Sequence, residues 1–417
     1  MKGPMGKAWP AIVIVTALAV GALVGVSLLS MGAPPSQGAS ARSGDDLATA
    51  LEVIGVIKTH YLEPVSTVDM LAAYMRTGTI NGMLKESVKD PYTRYMDAEA
   101  YKQFQIDTSG HYGGIGIYIG IQDNKLTVVA PIPGTPAAKA GLQAGDWIVE
   151  VDGRPTSEMA QEEATTLIRG PKGSTVELTV ERKQKRFKVR IAREEIVVPA
   201  VSTVQLLPGQ IGYVRLLQFS EDAPAEMERA LSTLEQKNYR ALILDLRNNP
   251  GGLLTAAIDV ASLFLRDGPV VHVVGRSGER HTIEAGSVRA HPLVPTVVLV
   301  NKGSASASEI LAGALQDRKV ATLVGTKTFG KGLVQTVIPL GRGDALTVTT
   351  QKYQTAGGRY IGNEGIEPDV VVKVPEGDQE APPLASGKVD LNDVQIQKAM
   401  EILTRQLAQA GGRAEGG

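Results

Sequence analysis

The sequence predicts an α/β fold preceded by a small β-rich domain and an N-terminal helical module. Two stretches, "RALILDLRNN" and "PTVVLVNKG", are continuous apolar runs that end in polar turns, as buried parallel strands do. A helical pattern follows each run, in "GGLLTAAIDVASLFL" and "SASEILAGALQD", and "KVATLVG" then returns as a strand. Strands that alternate with helices in this way indicate βαβ units with right-handed crossovers.

The composition excludes several classes of function. Lys and Arg together number 43 and Asp and Glu 44, so no strong net field attracts nucleic acid. The chain has no cysteine, which excludes disulfides, thiol catalysis and cysteine-based metal sites. Its five histidines are scattered without ligand spacing, which argues against a zinc site and a histidine-dependent triad. We therefore predict no metal, no cofactor and no nucleic-acid partner.

The first 31 residues are predicted to meet a membrane. Lys2 and Lys7 precede an uncharged apolar run from Ala8 to about Met31, which is long enough to span a bilayer as a helix. The basic flank should stay in the cytoplasm, so the remaining chain is expected across the membrane. An uncleaved anchor is favoured over a signal peptide cut near "ASA", and cleavage stays open.

The remaining chain divides by its local patterns. A Pro/Gly-rich tether is followed by apolar residues at helical spacing, and Pro91 in "DPYTRYM" ends this helical pattern. Short alternating strands broken by Gly and Pro then predict the β-rich domain. The predicted segments are an anchor or signal at 1–31, a linker at 32–46, a helical module at 47–105, the β-rich domain at 106–195, the α/β core at 196–375, and a linker with a last amphipathic helix at 376–417.

The stretch "GTKTFGKGLVQ" has most of the spacing of a nucleotide-binding P-loop. Gly332 stands where a Ser or Thr hydroxyl should hold magnesium, and the strand pattern "LVQTVIPL" follows where a helix is required. A nucleotide-driven machine is therefore not predicted. A lysine here becomes a base if burial lowers its pKa, and both Lys331 and Lys327 qualify. Phe329 and Leu333 are expected to keep water away from Lys331, and an exposed turn lysine is the alternative.

The stretch "NKGSASASEILAG" joins a predicted buried strand to a helix. Ser306 and Glu309 have the Ser-x-x-Glu spacing of a capping box, which is a structural explanation. A serine at this turn also lies above the carboxyl edge of the predicted sheet, where helix amides favour developing negative charge. The residues alone leave both interpretations open.

Two glycine-rich stretches have equally open interpretations. In "YGGIGIYIG", backbone amides around Gly114 and Gly116 could converge on a carboxylate, with a strand edge beside them that accepts an extended peptide; a plain tight turn is the equal alternative. In "DLRNNPGGLL", amides of Gly251 and Gly252 could donate to an oxyanion or simply begin a helix. Asp245 is expected to be a buried polar anchor rather than a general base.

Taken in order, these stretches resemble one family. The helical module, "DPYTRYM", "GGIGIYIG", "PGTPAAKAGLQAGDWIVEVDG", "DLRNNPGG", "GSASASEI", "GTKTFGKGLVQ" and "NEGIEPDV" follow one another as in the tail-specific, or C-terminal processing, serine proteases. The resemblance runs from about residue 46 to 407. It implies a PDZ-like domain, a crotonase/ClpP-like βαβ core and an exported serine endopeptidase of the bacterial cell envelope, periplasmic or extracellular. Its substrates would be proteins or peptides with free apolar C-termini.

The resemblance also implies roles for particular residues. Ser306 would be the nucleophile, Lys331 the general base and Gln335 the residue that orients the lysine. The oxyanion would be held by the amide of Ala307 and by that of Gly251 or Gly252. In the PDZ-like domain, Arg169 would couple peptide binding to activity, and the substrate carboxylate would be bound by Gly114, Ile115, Gly116 and Ile117.

Some alternatives stay open at this point. A non-catalytic PDZ-type adaptor that recruits C-termini to another protease is the main alternative function, and a hydratase-like acyl-transfer enzyme on a similar core is a further one. The roles of Lys327 and Asp317 are unassigned. The helical module and last helix could join two copies of the chain as a homodimer.

Overall fold

The structure, a computed structural model, describes residues 47–122, 125–159, 161–286, 291, 293–375 and 388–414. The predicted membrane segment at 1–31 and the linker at 32–46 lie outside these residues. Within the described ranges, none of the helices combines the length and apolar character that crossing a membrane requires.

The N-terminal part is helical. Ser66 and Thr79 cap the second and third helices, since their side chains accept the backbone N–H groups of Asp69 and Gly82. Helix α4 crosses residue 105, where the sequence places the end of this module. The elements are α1 (Leu47–His60), α2 (Thr67–Thr77), α3 (Ile80–Ser87), β1 (Arg94–Met96) and α4 (Ala98–Ser109).

The chain enters and leaves the β-rich domain through one antiparallel ribbon, in which β2 (His111–Gly114) pairs with β9 (Glu194–Val197). Between them lies a sheet in the order β3-β4-β5-β7-β8, with β6 added to β5 and α6 lying against β3 and β5. Strand β3 is therefore at the edge of its sheet. The elements are β2 (His111–Gly114), β3 (Ile117–Gln122), β4 (Lys125–Pro131), α5 (Pro136–Lys139), β5 (Trp147–Val151), β6 (Arg154–Pro155), α6 (Gln161–Ile168), β7 (Thr175–Arg182), β8 (Lys185–Ala192) and β9 (Glu194–Val197).

The remaining chain forms a mixed α/β core. Its first sheet has the order β10-β11-β12-β15-β16-β19, in which only the β10–β11 pair is antiparallel. The elements are β10 (Val201–Leu207), β11 (Ile211–Leu216), α7 (Ala223–Gln236), β12 (Ala241–Asp245), α8 (Leu254–Ser262), β13 (Pro269–Val274), β14 (Arg280–Glu284), β15 (Thr296–Val300), α9 (Ala307–Asp317), β16 (Ala321–Gly325), β17 (Leu333–Pro339), β18 (Ala345–Thr355), β19 (Val370–Val371) and α10 (Val394–Ala414).

Both faces of this first sheet are buried, which explains the continuous apolar runs. Alternate residues of β12 point to opposite faces, so Leu242 and Leu244 pack in the core that contains α7, α8 and α9. Ile243 packs on the other face, against Ile396 and Leu403 of α10. The predicted α/β class is thus confirmed.

A second sheet lies beside the first and is built around β18. Strand β17 pairs along one edge of β18, while β1 and β13 share the other edge. Thr347 is paired with Arg94 on one side and with Val337 on the other. Side chains that are directly paired across strands point to the same face, so the N-terminal strand β1 and the core strand β17 present their side chains to one surface.

Candidate active site

One cavity contains all the residues predicted for catalysis. It has a volume of about 600 Å³ and lies where the carboxyl ends of β12 and β15 meet the sheet around β18. The predicted catalytic and oxyanion residues on its wall are Ser306, Lys331, Gln335, Ala307, Gly251 and Gly252. The fold therefore brings together residues from three separate stretches of the sequence.

Ser306 lies at the turn between β15 and α9 in an unusual backbone conformation. Its φ is 55° and its ψ is −114°, a region that residues with a side chain rarely adopt. Such strain costs on the order of 1–3 kcal/mol and is found mostly at functional sites. Ala307 begins α9, so the side chain of Ser306 stands at the positive end of the helix dipole.

Glu309 joins the backbones of the two predicted catalytic residues. Its side chain is 0% exposed. One carboxylate oxygen accepts the N–H groups of Ser306 at 2.9 Å and of Lys331 at 2.9 Å. The other accepts the Gly330 N–H at 2.7 Å and the Thr328 hydroxyl at 2.6 Å. The sequence identifies Glu309 only as a helix cap, whereas the structure makes it the link between α9 and the lysine loop.

Lys331 is half-buried, and this environment disfavours its charge. Burial lowers the pKa of the Lys331 ammonium, and the neighbouring Arg94 lowers it further, against the opposite effect of Glu309 and Asp90. Its Nζ lies 4.6 Å from the centre of the Tyr92 ring. The direction of the pKa shift is the one that a general base requires.

The other residues of the lysine loop lie elsewhere. Lys327 does not line the cavity, and its ammonium pairs with Glu367 at 3.6 Å on the surface. The expectation for Phe329 is wrong, because its side chain is 57% exposed and is absent from the cavity wall. Leu333 does line the cavity. The Phe329 backbone itself is held at this loop, where its N–H donates to the Ser304 carbonyl at 3.1 Å.

The two candidate glycine amides are distinguished by their partners. Gly251 donates its N–H to the Asn249 side chain at 2.9 Å, so this donor is already occupied. In the part of the chain that the structure describes, the Gly252 N–H and the Ala307 N–H have no acceptor. These two amides are therefore available to a negatively charged oxygen in the cavity.

Gln335 lines the cavity, but its hydrogen bond goes elsewhere. Its Nε2 donates to Thr349 Oγ1 at 3.3 Å, and this hydroxyl donates to Asp90 Oδ1 at 3.0 Å. Asp317 lies outside the cavity wall, where it accepts the Gly357 N–H at 2.7 Å at the end of α9. All five histidines are among the described residues, and none of them lines this cavity.

The predicted peptide-binding residues form a separate region. The Ile115 side chain is fully buried in the core of the β-rich domain, so only its backbone can meet a peptide. The carbonyl of Gly116, which has a φ of 77°, accepts the Thr135 hydroxyl at 3.0 Å. None of Gly114, Ile115, Gly116 and Ile117 lines the catalytic cavity.

Arg169 lies at a second cavity, between the β-rich domain and α4. Its guanidinium is 4.5 Å from the centre of the Tyr112 ring. This cavity measures about 770 Å³, and its wall also contains His111, Lys172 and Glu195. Arg169 is thus placed at the junction of the two domains and not beside Ser306.

Comparison with known proteins identifies the family. Residues 210–372 match peptidase family S41, and residues 127–182 match the PDZ domain. A carboxy-terminal-processing protease of Bartonella bacilliformis is 44% identical over 305 residues, which cover 71% of this chain and 69% of that protein. The chain belongs to peptidase family S41.

Other S41 relatives agree with this assignment. A carboxyl-terminal-processing protease of Synechocystis is 42% identical over 341 residues, covering 78% of this S41 chain and 76% of the relative. The solved structure of the photosystem II D1 C-terminal processing protease has 32% identity and a TM-score of 0.51, and it covers 78% of this chain and 92% of that one. The peptidase interpretation is therefore confirmed over the PDZ-type adaptor, and the β-rich domain is a PDZ domain.

Sequence reasoning missed part of the S41 site. Tyr92 and Arg94, both from "DPYTRYM", line the cavity, and Asp90 stands behind them. In the sequence this stretch ends the helical pattern and is one of the motifs that carry the family resemblance, but neither observation gives Tyr92 or Arg94 a role. The sequence did carry a signal for this role in "DPYTRYM", where charged and aromatic residues are grouped beside a proline, which the end of a helix does not require.

Proposed function

We propose that this chain is a C-terminal processing serine endopeptidase in which Ser306 is the nucleophile and Lys331 the general base. One observation carries the proposal. Ser306, Lys331 and the two available amides of Gly252 and Ala307 line the same cavity, with Glu309 holding the backbones of the serine and the lysine. These are the groups that acyl transfer requires: a nucleophile, a base and oxyanion donors.

In the first half of the reaction, neutral Lys331 takes the proton of the Ser306 hydroxyl as its oxygen attacks the peptide carbonyl. The tetrahedral oxyanion accepts hydrogen bonds from the Gly252 and Ala307 amides. The C–N bond then breaks, and protonated Lys331 gives its proton to the departing amine. The product that remains is an acyl-enzyme on Ser306.

In the second half, Lys331 takes a proton from water, which attacks the acyl carbon. The ester bond to Ser306 breaks and the serine oxygen recovers its proton from Lys331. Because the neutral amine is the active form, the rate should rise as pH rises through the pKa of Lys331. Burial and Arg94 lower that pKa, so activity extends to lower pH than an ordinary lysine would allow.

The PDZ domain supplies the choice of substrate in this proposal. Strand β3 is an edge strand with α6 beside it, an arrangement that accepts an extended peptide as an added strand. The backbone amides from Gly114 to Ile117 would then receive the terminal carboxylate of an apolar tail. Arg169, at the junction with α4, would couple this binding to the catalytic core.

The fold supports two finer proposals. Parallel strands with α9 following Ser306 are consistent with a crotonase/ClpP-like core. Exposed apolar side chains on α1 and α2, including Leu51 and Met75, are consistent with a homodimer. Sedimentation at several concentrations would test the dimer, and a monomer at every concentration would contradict it.

Localisation is proposed from the sequence. The run at 1–31 would anchor the protein in a bacterial envelope with the catalytic domains on the non-cytoplasmic side. Protease protection of whole cells and spheroplasts tests the orientation. Protection of the core in both preparations would contradict it.

The test of the catalytic proposal uses Ser306→Ala and Lys331→Ala with Lys327→Ala as the matched control. The substrate is a peptide with a free apolar C-terminus, compared with the same peptide amidated at that end. We expect the first two variants to lose about 10³-fold or more in kcat/KM, since residues of one catalytic unit are each indispensable. Lys327 lies outside the cavity, so Lys327→Ala should retain activity.

The amidated peptide should be cleaved less efficiently by the unaltered enzyme, because it lacks the carboxylate. Thermal melting confirms that each variant is folded before its activity is measured. Full cleavage by folded Ser306→Ala or Lys331→Ala would disprove the assignment of the dyad. Equal cleavage of the two peptides would disprove only the recognition of the C-terminal carboxylate and would leave the assignment of the dyad untouched.

A further inference from the structure

The "DPYTRYM" stretch is built into the wall of the catalytic cavity. The Asp90 carboxylate holds it in place, because Oδ1 accepts the Tyr92 N–H at 2.8 Å, the Thr93 N–H at 2.9 Å and the Thr349 hydroxyl at 3.0 Å. The Thr93 hydroxyl in turn accepts the Thr349 N–H at 3.1 Å. The stretch is thereby fixed to β18, although it belongs to the N-terminal part of the chain.

Strand register then determines where Arg94 lies. Arg94 is paired with Thr347 of β18, which is paired with Val337 of β17. All three residues line the cavity that contains Lys331. Among the described residues, no carboxylate forms an ion pair with Arg94. Arg94 therefore brings a positive charge into the same cavity as the proposed base.

The groups around Lys331 have opposing effects on its charge. The Tyr92 ring, 4.6 Å from Nζ, favours the ammonium form. Two carboxylates, Asp90 and Glu309, favour it as well. Both carboxylates are already engaged by hydrogen-bond donors, as described above. Apart from burial, Arg94 is the nearby group that favours the neutral amine.

We propose that Arg94 is a positioning residue of the catalytic site, whose guanidinium acts through Lys331 by repelling the ammonium form and so keeps a larger fraction of the amine neutral. This inference rests on the proposed function, since it assumes that Lys331 is the base. It assigns the N-terminal "DPYTRYM" stretch a part in the chemistry. A module outside the α/β core thus contributes the charge that sets the working pH of the base.

The direct test measures the proton equilibrium of Lys331 without catalysis. The full-length chain carrying Ser306→Ala is labelled with trace acetic anhydride at a series of pH values, and mass spectrometry reports the acetylated fraction of Lys331. Arg94→Gln removes the charge, Arg94→Lys retains it, and Arg405→Gln on α10 is the remote control. We expect the labelling curve to move to higher pH in Arg94→Gln, and to remain near its original position in Arg94→Lys and Arg405→Gln.

The corresponding change in the active enzyme is a pH-dependent loss of rate. In Arg94→Gln, kcat/KM at pH 7 should fall about 3- to 10-fold and recover as pH rises, because more of the base is protonated at neutral pH. A loss confined to KM and equal at every pH would instead make Arg94 a substrate contact and overturn the proposal.

Two labelling results would also overturn it. One is an unchanged curve in Arg94→Gln, and the other is a shift in Arg94→Lys as large as that in Arg94→Gln, which would make the shape of the side chain decisive and not its charge. These outcomes are distinct from failure of the proposed function. That function fails if folded Lys331→Ala retains full activity, whatever the labelling curve does.

Discussion

At the scale of single residues, Gly251 has little freedom to change because it packs directly against the turn that carries Ser306. Its φ is 101°, in the region that favours glycine. A Cβ added there would lie 2.7 Å from the Ala305 carbonyl oxygen, 2.8 Å from Ser306 Cβ and 2.9 Å from the Ala307 nitrogen. These are contacts with the backbone that carries the nucleophile, so no side chain can be accommodated without moving Ser306.

Gly251→Ala should therefore disable catalysis by displacing Ser306. We expect a loss of about 10²-fold or more in kcat/KM, since a shift of about 1 Å in a catalytic group has that effect. The matched control is Gly343→Ala, which has a similar φ of 82° but a nearest neighbour 3.8 Å away. Steady-state kinetics and melting temperature are measured for both. Similar kinetics in the two variants would indicate that general backbone strain, and not the clash at Ser306, is responsible.

At the scale of elements, a buried ion-pair cluster docks α10 onto the parallel sheet. Arg247 and Asp245, at the end of β12, are both 0% exposed in their side chains and pair at 2.7 Å. Burial would raise the pKa of Asp245, but the Arg247 guanidinium outweighs that effect and holds the pKa below its ordinary value. Arg247 also donates to Asp393 at 2.7 Å and to Gln395 at 2.9 Å. Asp245 is thus a buried anchor, as its position inside a strand predicts.

Asp393 has two separable functions at the start of α10. Its carboxylate pairs with Arg247, and it caps the helix by accepting the N–H groups of Gln395 at 2.8 Å and Ile396 at 3.2 Å. Asp393→Ala removes both and should lower the local stability of α10 by roughly 2–4 kcal/mol. Asp393→Asn keeps a capping oxygen and should lose about half as much.

Hydrogen–deuterium exchange of the α10 amides measures this local stability. Amides of β7 and β8 in the PDZ domain, which do not contact the cluster, are the internal reference. Exchange in α10 should accelerate in the order Asp393→Asn, then Asp393→Ala. If both variants protect α10 as well as the unaltered chain does, the cluster does not dock the helix.

At the scale of the whole molecule, a histidine connects the PDZ domain to the catalytic core. His111 begins β2, and its Nε2 lies 2.6 Å from Asp222 Oδ2 at the start of α7. Its Nδ1 lies 3.5 Å from Glu195 of β9. The hydrogen bond to Asp222 raises the pKa of His111 above its ordinary value; burial opposes this shift, and Glu195 adds to it. The domain junction therefore carries an imidazole whose charged form is favoured by its partners in the folded chain.

Because the pKa of His111 is higher in the folded chain than in the unfolded chain, its contribution to stability has a definite sign. The contribution is complete below the ordinary pKa of 6.5 and is lost as pH rises through the folded-state pKa above it. We expect the melting temperature to fall less between pH 6 and pH 9 in His111→Asn than in the unaltered chain. His281→Asn, on the exposed strand β14, is the control. An unchanged pH dependence in His111→Asn would show that this contact does not stabilise the junction.

Much of the architecture follows from local patterns. Runs such as "RALILDLRNN" predict buried parallel strands because both sheet faces are covered, and Leu242 and Ile243 pack on opposite sides as that requires. The pattern "LVQTVIPL" after Lys331 predicts a strand where a nucleotide-binding loop needs a helix, and the structure has strand β17 there. The segment boundaries and the residue roles remain predictions, including that of Gln335, whose hydrogen bond goes to Thr349.

The sequence alone determined the order of helices and strands, the turn that carries Ser306, and a glycine-rich loop whose backbone can fold tightly around Lys331. Only the tertiary structure decided that Glu309 joins the backbones of Ser306 and Lys331, that Phe329 turns outward and that Arg94 enters the site. The physical reason is the separation in sequence between the residues that interact. Periodic burial is recorded in the spacing of neighbouring residues, whereas the charges that meet at Lys331 depend on strand register between distant segments, which local spacing does not encode.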